Sequence, residues 1–330
     1  MRHKYLSTWA SLFVVVGLLL TVAAGCSSDT ASSSSSPEAA AAVAEFTAEE
    51  IIEQSNAKMA AVKSASFAVD MALEVQGDTA QATDPMEQAL LSEGMTLHAE
   101  GKSAAEPVAA QMDLSVTVAD QALDFGLIAK GDKMWVEYEG QWYVVDQKNS
   151  SALSTQAETG AAPTEQLKSF GLDPEEWGTT YEVVGTEDIG GTPTYHLKAT
   201  SDPQKLAAAL MQAANDPDLA KKLGDAETAN QLKQSLAQSE EQAAQLQKAL
   251  TDVSVDYWVG VDDMLMRKAE FTAALDTTEQ KDMEGVEGMT MKLTVTMDDF
   301  NEPVSVDPPA KAKSFDKLME TIFGGMTMGL

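Results

Sequence analysis

Cysteine and histidine, which supply most metal ligands and many nucleophiles and general bases, are scarce in this chain. Its 330 residues include one cysteine, Cys26, and three histidines. A lone cysteine cannot close an intrachain disulfide, and a zinc site needs three or four clustered ligands. The Gly-x-Ser-x-Gly motif of many serine hydrolases is absent. His98 and His196 occupy polar positions of predicted strands, where we expect solvated side chains. We expect no enzyme, no metal and no cofactor; an unusual hydrolase is the alternative.

Basic residues are scarce as well, with 22 Lys and Arg against 52 Asp and Glu and a formal net charge of −30. An acidic surface is repelled by nucleic acid and by anionic lipid headgroups. We therefore expect no nucleic-acid partner. The acidic pairs Asp262-Asp263 and Asp298-Asp299 lack the alternating ligand spacing of a calcium loop, so we interpret them as turn and strand-end residues.

The apolar run over residues 9–24 follows the basic residues Arg2, His3 and Lys4. It is shorter than the ~20 residues of a membrane-spanning helix, and it ends in small residues, which is typical of a cleaved signal peptide. Its end, Ala23-Ala24-Gly25-Cys26, resembles the lipobox of bacterial lipoproteins. That resemblance implies cleavage after residue 25 and a diacylglycerol, with acyl chains such as palmitate, on Cys26. An uncleaved anchor with an incidental cysteine is the alternative.

Residues 26–45 form a low-complexity segment rich in Ser and Ala, which has little to bury and predicts a disordered spacer. The expected organisation is a signal peptide at 1–25, lipidated Cys26 with its spacer at 26–45, and a single domain at 46–330. This places the protein outside the cytoplasm, anchored to the outer face of the cell membrane.

Alternating apolar and polar residues predict an antiparallel sheet. The clearest run is 108–118, where every second residue is apolar. Further strands are predicted at 67–75, 123–129, 134–138, 141–145, 180–186, 194–200, 253–261, 265–273 and 289–297. Gly131-Asp132 and Glu139-Gly140 are short enough for tight hairpins. The absence of βαβ alternation and of a glycine-rich loop after a strand argues against a dinucleotide fold.

Helices are predicted at three places. Thr47 and Glu50 form a capping box for a helix running to about residue 62, with Phe46 placed to contact Ile51. The segment 202–250 starts at Asp202-Pro203, has a second start at Asp216-Pro217, and carries a leucine stripe. We interpret it as a helical pair covering the sheet, with a coiled-coil partner site as the alternative. Residues 315–323 predict a last helix whose apolar face packs on the domain or, alternatively, on a membrane interface.

Methionine is abundant, with 17 residues, and several crowd the region 264–297. Methionine is flexible and common on apolar surfaces that accept varied shapes, but it also fills cores. Both interpretations are open. In the functional one, an apolar cavity binds a lipid-like ligand. The candidate cavity residues are Met112, Met289, Met291, Leu293 and Met297.

The hairpin 131–145, the segment 256–268 and the closing residues 300–309 resemble those of the LppX/LprG lipoproteins, which are similar in architecture to LolA. The resemblance covers roughly residues 46–310. It implies an α+β fold in which a curved antiparallel sheet, a half-barrel, carries helices on one face and encloses an apolar cavity. It also implies a non-enzymatic carrier of acylated lipids or lipoproteins in the cell envelope, with no catalytic residues.

Together these patterns predict a monomeric, membrane-anchored cell-envelope lipoprotein that binds or shuttles a hydrophobic ligand. The alternative is a structural or signalling envelope lipoprotein that binds a protein partner through its acidic surface.

Overall fold

The computed structural model describes residues 46–79, 85–118, 121–145, 178–214, 248–278 and 285–318. The predicted signal peptide, Cys26, the spacer, the Asp216-Pro217 helix start and residues 319–323 of the last predicted helix lie outside these ranges. In the ranges given, no helix combines the length and apolar character that a membrane crossing requires.

The chain groups into two compact units. The first consists of Met1–Val62 with Gly160–Leu275, and the second of Lys63–Thr159 with Asp276–Leu330. Both combine antiparallel strands with helices, so the predicted α+β class with an antiparallel sheet is confirmed. The single domain over 46–330 stays a prediction.

The described part of the second unit contains eight strands and one helix. They are β1 (Ser64–Gly77), α1 (Pro85–Glu93), β2 (Met95–Ala104), β3 (Ala109–Val118), β4 (Gln121–Lys130), β5 (Lys133–Tyr138), β6 (Gln141–Val145), β7 (Val286–Asp298) and β8 (Lys313–Ser314). In space the strands follow the order β8-β6-β5-β4-β3-β2-β1-β7. All pairs are antiparallel except β8 with β6.

Both predicted hairpin turns are present. Gly131 has a φ of 60° between β4 and β5, and Glu139 and Gly140 have φ of 50° and 73° between β5 and β6. Positive φ at these positions matches the right-handed twist of the flanking strands, which is why tight hairpins use them.

Helix α1 was not predicted from the sequence. It is short and ends at Gly94, whose φ of 70° suits a residue without a side chain. The Gly94 N–H donates to the Leu90 carbonyl at 2.9 Å, and a Cβ at this position would lie 2.4 Å from the Leu73 carbonyl oxygen. The glycine thus ends the helix and lets the chain pass close to β1.

The described part of the first unit contains four strands and two helices. They are α2 (Ala48–Met59), β9 (Thr180–Ile189), β10 (Thr192–Thr200), α3 (Pro203–Ala214), β11 (Leu250–Gly260) and β12 (Met266–Asp276). The strand order is β12-β11-β10-β9, with antiparallel pairing throughout.

The capping box of α2 forms as predicted. Thr47 Oγ1 accepts the Glu50 N–H at 3.2 Å, and Glu50 Oε2 accepts the Thr47 N–H at 2.8 Å. The helix packs Ile51 against Leu197 of β10 and Val259 of β11, and all three side chains are fully buried. At α3, Asp202 Oδ1 accepts the N–H groups of Gln204 and Lys205, so the predicted start at Asp202-Pro203 is also confirmed.

Candidate ligand-binding face

The sheet of the second unit has one apolar face, defined by the odd-numbered residues of β1, β2 and β7 and by the residues paired with them. Directly opposed residues of antiparallel strands point to the same side of a sheet, so the register assigns each residue to a face. One row crosses seven strands through such pairs, in the order Met297, Phe67, Gly101, Met112, Leu127, Val136 and Tyr143.

Gly101 interrupts this row, and its lack of a side chain makes room for Phe67. A Cβ at Gly101 would lie 3.1 Å from Phe67 Cζ, and 2.3 Å from the Gln111 carbonyl oxygen. The ring therefore reaches over the glycine toward β3. Phe67 thus lies between Met297 of β7 and the glycine that pairs with Met112 of β3.

All five predicted cavity residues lie on the apolar face. Met289, Leu293 and Met297 of β7 are buried, whereas Met291 and Met112 are half-buried. On β1, their neighbours Val75, Met71 and Phe67 continue the same surface. The register therefore places the candidates on one face of the sheet; their contact with a ligand stays a prediction.

Burial on the apolar face falls from β1 and β7 toward β4. In the row that starts at Leu293, the paired residues are Met71, Leu97, Val116 and Leu123. Leu293 is 5% exposed, Val116 is half-buried and Leu123 is 50% exposed. Phe125 and Tyr138 are also half-buried, and their rings stack with centroids 5.3 Å apart. Strands β3 to β5 thus present contiguous apolar side chains that the described residues only partly cover, a feature typical of binding surfaces.

The opposite face of this sheet is polar near β1 and β2. His98 is exposed and its Nδ1 lies 2.7 Å from Asp70 Oδ1, as expected for a solvated strand residue. Toward β6 this face is covered by the chain after β7. Val306 is buried against Ile128 and Trp135, and Lys130 Nζ donates to the Val306 carbonyl at 2.9 Å.

In the first unit, a polar cluster surrounds His196 of β10, on the sheet face opposite to Leu197. His196 Nδ1 lies 2.8 Å from Glu187 Oε1 and Nε2 lies 2.7 Å from Asp256 Oδ1. The imidazole stacks on Trp258 at a centroid distance of 4.5 Å, and Lys268 Nζ lies 4.1 Å from the centre of the Trp258 ring. The His196 side chain is 14% exposed, so the expectation of a solvated residue was wrong.

Glu187 links the cluster to the edge strand β9. The Trp258 indole N–H donates to Glu187 Oε2 at 2.9 Å. This bond and the contact with His196 together lower the pKa of the Glu187 carboxyl below its ordinary value. The sequence held a signal for this arrangement, because an isolated glycine such as Gly185 within a strand pattern indicates a bulge.

The acidic pairs behave as predicted. Asp263 lies in the turn after β11, where its Oδ1 accepts the Leu265 N–H at 3.0 Å. Asp299 follows β7 with a φ of 50°, and its Oδ2 accepts the Ser66 hydroxyl at 2.9 Å. Within the described ranges, no three His, Cys, Asp or Glu residues are arranged to hold a metal ion.

Comparisons with known proteins agree with the sequence resemblance. Residues 47–172 match the model of a family of unknown function, DUF6612. No curated protein matches the chain in sequence. Among solved structures, the chain is similar to lipoprotein LppX of Mycobacterium tuberculosis, with 18% identity over 78% of this chain and 96% of that one and a TM-score of 0.32.

Two further solved structures are similar to the chain. LprF of Mycobacterium bovis has 12% identity over 80% of this chain and 97% of that one, with a TM-score of 0.40. A LolA superfamily protein of Nitrosomonas europaea has 12% identity over 80% and 96%, with a TM-score of 0.19. Because these TM-scores are below 0.5, the likeness carries no conclusion about function.

Proposed function

We propose that this protein is a cell-envelope lipoprotein that binds or shuttles a hydrophobic, acyl-bearing ligand. In this proposal Cys26 carries the lipid that holds the chain on the outer face of the membrane, and the ligand contacts the apolar face of the second unit. The observation that carries the proposal is the contiguous, half-buried apolar surface of β3, β4 and β5, on the same sheet face as the methionines of β7. This function needs no catalytic residue and no cofactor.

The dimensions of the face favour a long ligand. Strands β3 and β4 contain ten residues each, so at about 3.3 Å per residue each is about 33 Å long, close to the hydrocarbon thickness of a bilayer, or two acyl chains end to end. Burial contributes about 0.8 kcal/mol per methylene, whereas association costs about 4–15 kcal/mol. A chain of a few methylenes would not offset that cost, so long acyl chains are the preferred ligand class.

Charge favours a ligand without an anionic headgroup. The chain carries a formal net charge of −30, and exposed carboxylates such as Asp113 and Asp124 lie on the opposite face of the same strands. A nearby anionic headgroup would be repelled. Neutral acylglycerols are therefore the appropriate probe.

The test uses the full-length chain with Cys26→Ser, which removes the anchor. Lipids that co-purify are extracted and identified by mass spectrometry, and binding of a fluorescent diacylglycerol is titrated. Leu114→Gln introduces an amide on the apolar face. Ser115→Gln is the matched control, because the two residues are adjacent on β3, both half-buried, and point to opposite faces.

We expect a co-purified acyl lipid, an affinity about tenfold or more weaker for Leu114→Gln, and an unchanged affinity for Ser115→Gln. Absence of bound lipid together with no uptake of the probe would remove the carrier function. Equal losses in both variants would remove the assignment of the face.

A protein-binding lipoprotein is the second candidate. It is favoured by the exposed carboxylates Asp70, Glu74 and Glu100 on the polar face of β1 and β2. Such a site would bind a basic partner with an affinity that falls steeply with salt. Lipid binding that is insensitive to salt, with no salt-dependent partner, would speak against this candidate.

A further inference from the structure

A bulge in β9 determines which side chains meet His196. The register of β9 with β10 shifts between Val183 and Gly185, so Gly185 rather than Val184 lies opposite His196. Because strand residues alternate between faces, the extra residue moves Glu187 onto the face of His196. A Cβ at Gly185 would meet no atom of the described residues within 4 Å, so the bulge itself, not the missing side chain, places Glu187.

Both ring nitrogens of His196 face carboxylate oxygens, Nδ1 that of Glu187 and Nε2 that of Asp256. An ionised carboxylate only accepts hydrogen bonds, so each ring nitrogen must donate. Only the imidazolium form has two N–H groups. The neutral ring would place a lone pair against one of the carboxylates.

We propose that His196 is a proton-dependent latch of the first unit. As imidazolium it ties the edge strand β9, through Glu187, to β11, through Asp256. When the ring loses its proton, one of these two bonds is lost and β9 is held less firmly, although the Trp258 indole N–H still donates to Glu187.

The other charged groups on this face are arranged in two adjacent rows. One row pairs Gly185, His196, Trp258 and Lys268 across the four strands, and the next pairs Glu182, Lys198, Asp256 and Glu270. Lys268 Nζ lies 3.2 Å from Glu270. Among the described residues, the charged groups that face His196 are therefore Glu187 and Glu182 from β9, Lys198 from β10, Asp256 from β11, and Lys268 and Glu270 from β12.

Trp258 fixes the orientation of the Glu187 carboxylate. Its indole N–H occupies Glu187 Oε2, while Oε1 accepts from His196. The substitution Glu187→Gln preserves this geometry, since the amide oxygen can accept from Trp258 while the amide NH2 donates to a neutral Nδ1. In this variant the cluster therefore requires the neutral His196 ring with its proton on Nε2, whereas the wild-type cluster requires the imidazolium.

The experiment combines two measurements on the full-length chain in mild detergent. Nitrogen-15 NMR of labelled histidine reports the protonation state of the ring. Hydrogen exchange of the β9 amides, corrected for the intrinsic rate, reports the attachment of the strand. His98→Gln is the matched control, because His98 is exposed and contacts Asp70 in the other unit.

In the wild-type chain we expect imidazolium signals at each pH at which the β9 amides are protected from exchange. As the ring loses its proton, the protection of these amides should fall about tenfold or more. In Glu187→Gln we expect a neutral ring and protection that does not follow this titration, while His98→Gln behaves as wild type. A neutral His196 ring at pH values at which the wild-type β9 amides are protected would overturn the proposal. Protection that stays constant through the wild-type titration would overturn it as well, whether or not the Glu187→Gln variant folds.

Discussion

Alanine at Gly101 should destabilise the protein and alanine at Gly185 should not, although both glycines lie within strands. A Cβ at Gly101 would lie 2.3 Å from the Gln111 carbonyl oxygen and 2.9 Å from Met112 Cα, and these are backbone atoms that cannot rotate away. A Cβ at Gly185 meets no atom of the described residues within 4 Å. Neither glycine has a positive φ, so alanine adds no backbone strain at either position.

We expect Gly101→Ala to lower the free energy of unfolding by about 1–3 kcal/mol, the usual cost of overpacking. Gly185→Ala should leave the free energy unchanged or raise it by about 0.4–1 kcal/mol, because alanine restricts the unfolded chain.

The assay is urea unfolding of the full-length Cys26→Ser chain, followed by circular dichroism. A loss of about 2 kcal/mol lowers the midpoint by roughly 0.7–1 M at a slope of about 2–3 kcal/mol per molar urea. An unchanged midpoint for Gly101→Ala would refute the register that places this glycine between Phe67 and Met112.

Two further predictions concern stability. Leu197→Ala should lower the free energy of unfolding in urea by about 2–5 kcal/mol, because this side chain is fully buried beside Ile51. Leu123→Ala, at a half-exposed leucine, should lower it by less than about 1 kcal/mol. Similar losses of free energy in the two variants would contradict the assigned core. The hydroxyl and N–H of Thr278 donate to the Asp276 carboxylate and lower its pKa. The ionised carboxylate therefore stabilises the fold above the ordinary aspartate pKa, and this stabilisation is lost as pH falls through the lowered pKa. Asp276→Asn should therefore be less stable than wild type near neutral pH, with a gap that narrows in acid, and a gap that widens in acid would contradict this.

Much of the second unit could be predicted from local patterns. The alternation at 108–118 and the residues of the two tight turns are local properties, and each appears in β3 and in the hairpins β4-β5-β6. The shared face of Met289, Met291 and Met297 could be predicted from the same alternation in β7. The alignment of this face with Met112 could not be predicted, because the register across β1 and β2 depends on pairing between distant segments.

The polar cluster of the first unit could not be predicted in the same way. The predicted strand 180–186 stopped before Glu187, and simple alternation without a bulge places residue 187 on the face of α2. A shift of one residue reverses the face of every residue that follows. His196 was therefore interpreted without the partner that fixes it.

The short helix α1 was missed for a different reason. Nine residues give a weak periodic signal, and isolated helices of this length are marginal in water. The contacts of α1 with β1 and β3 supply the stabilisation that its own sequence lacks.

Photo-crosslinking tests the proposed ligand-binding face most directly. A diacylglycerol with a diazirine in one acyl chain is bound to the full-length Cys26→Ser chain, irradiated, and the modified residues are identified by tandem mass spectrometry. We predict labels on alternate residues of β3 and β4, such as Met112, Leu114 and Phe125, that disappear when unlabelled lipid competes. Labels on the intervening residues Asp113 and Ser115, or labelling that competitor does not reduce, would contradict the account.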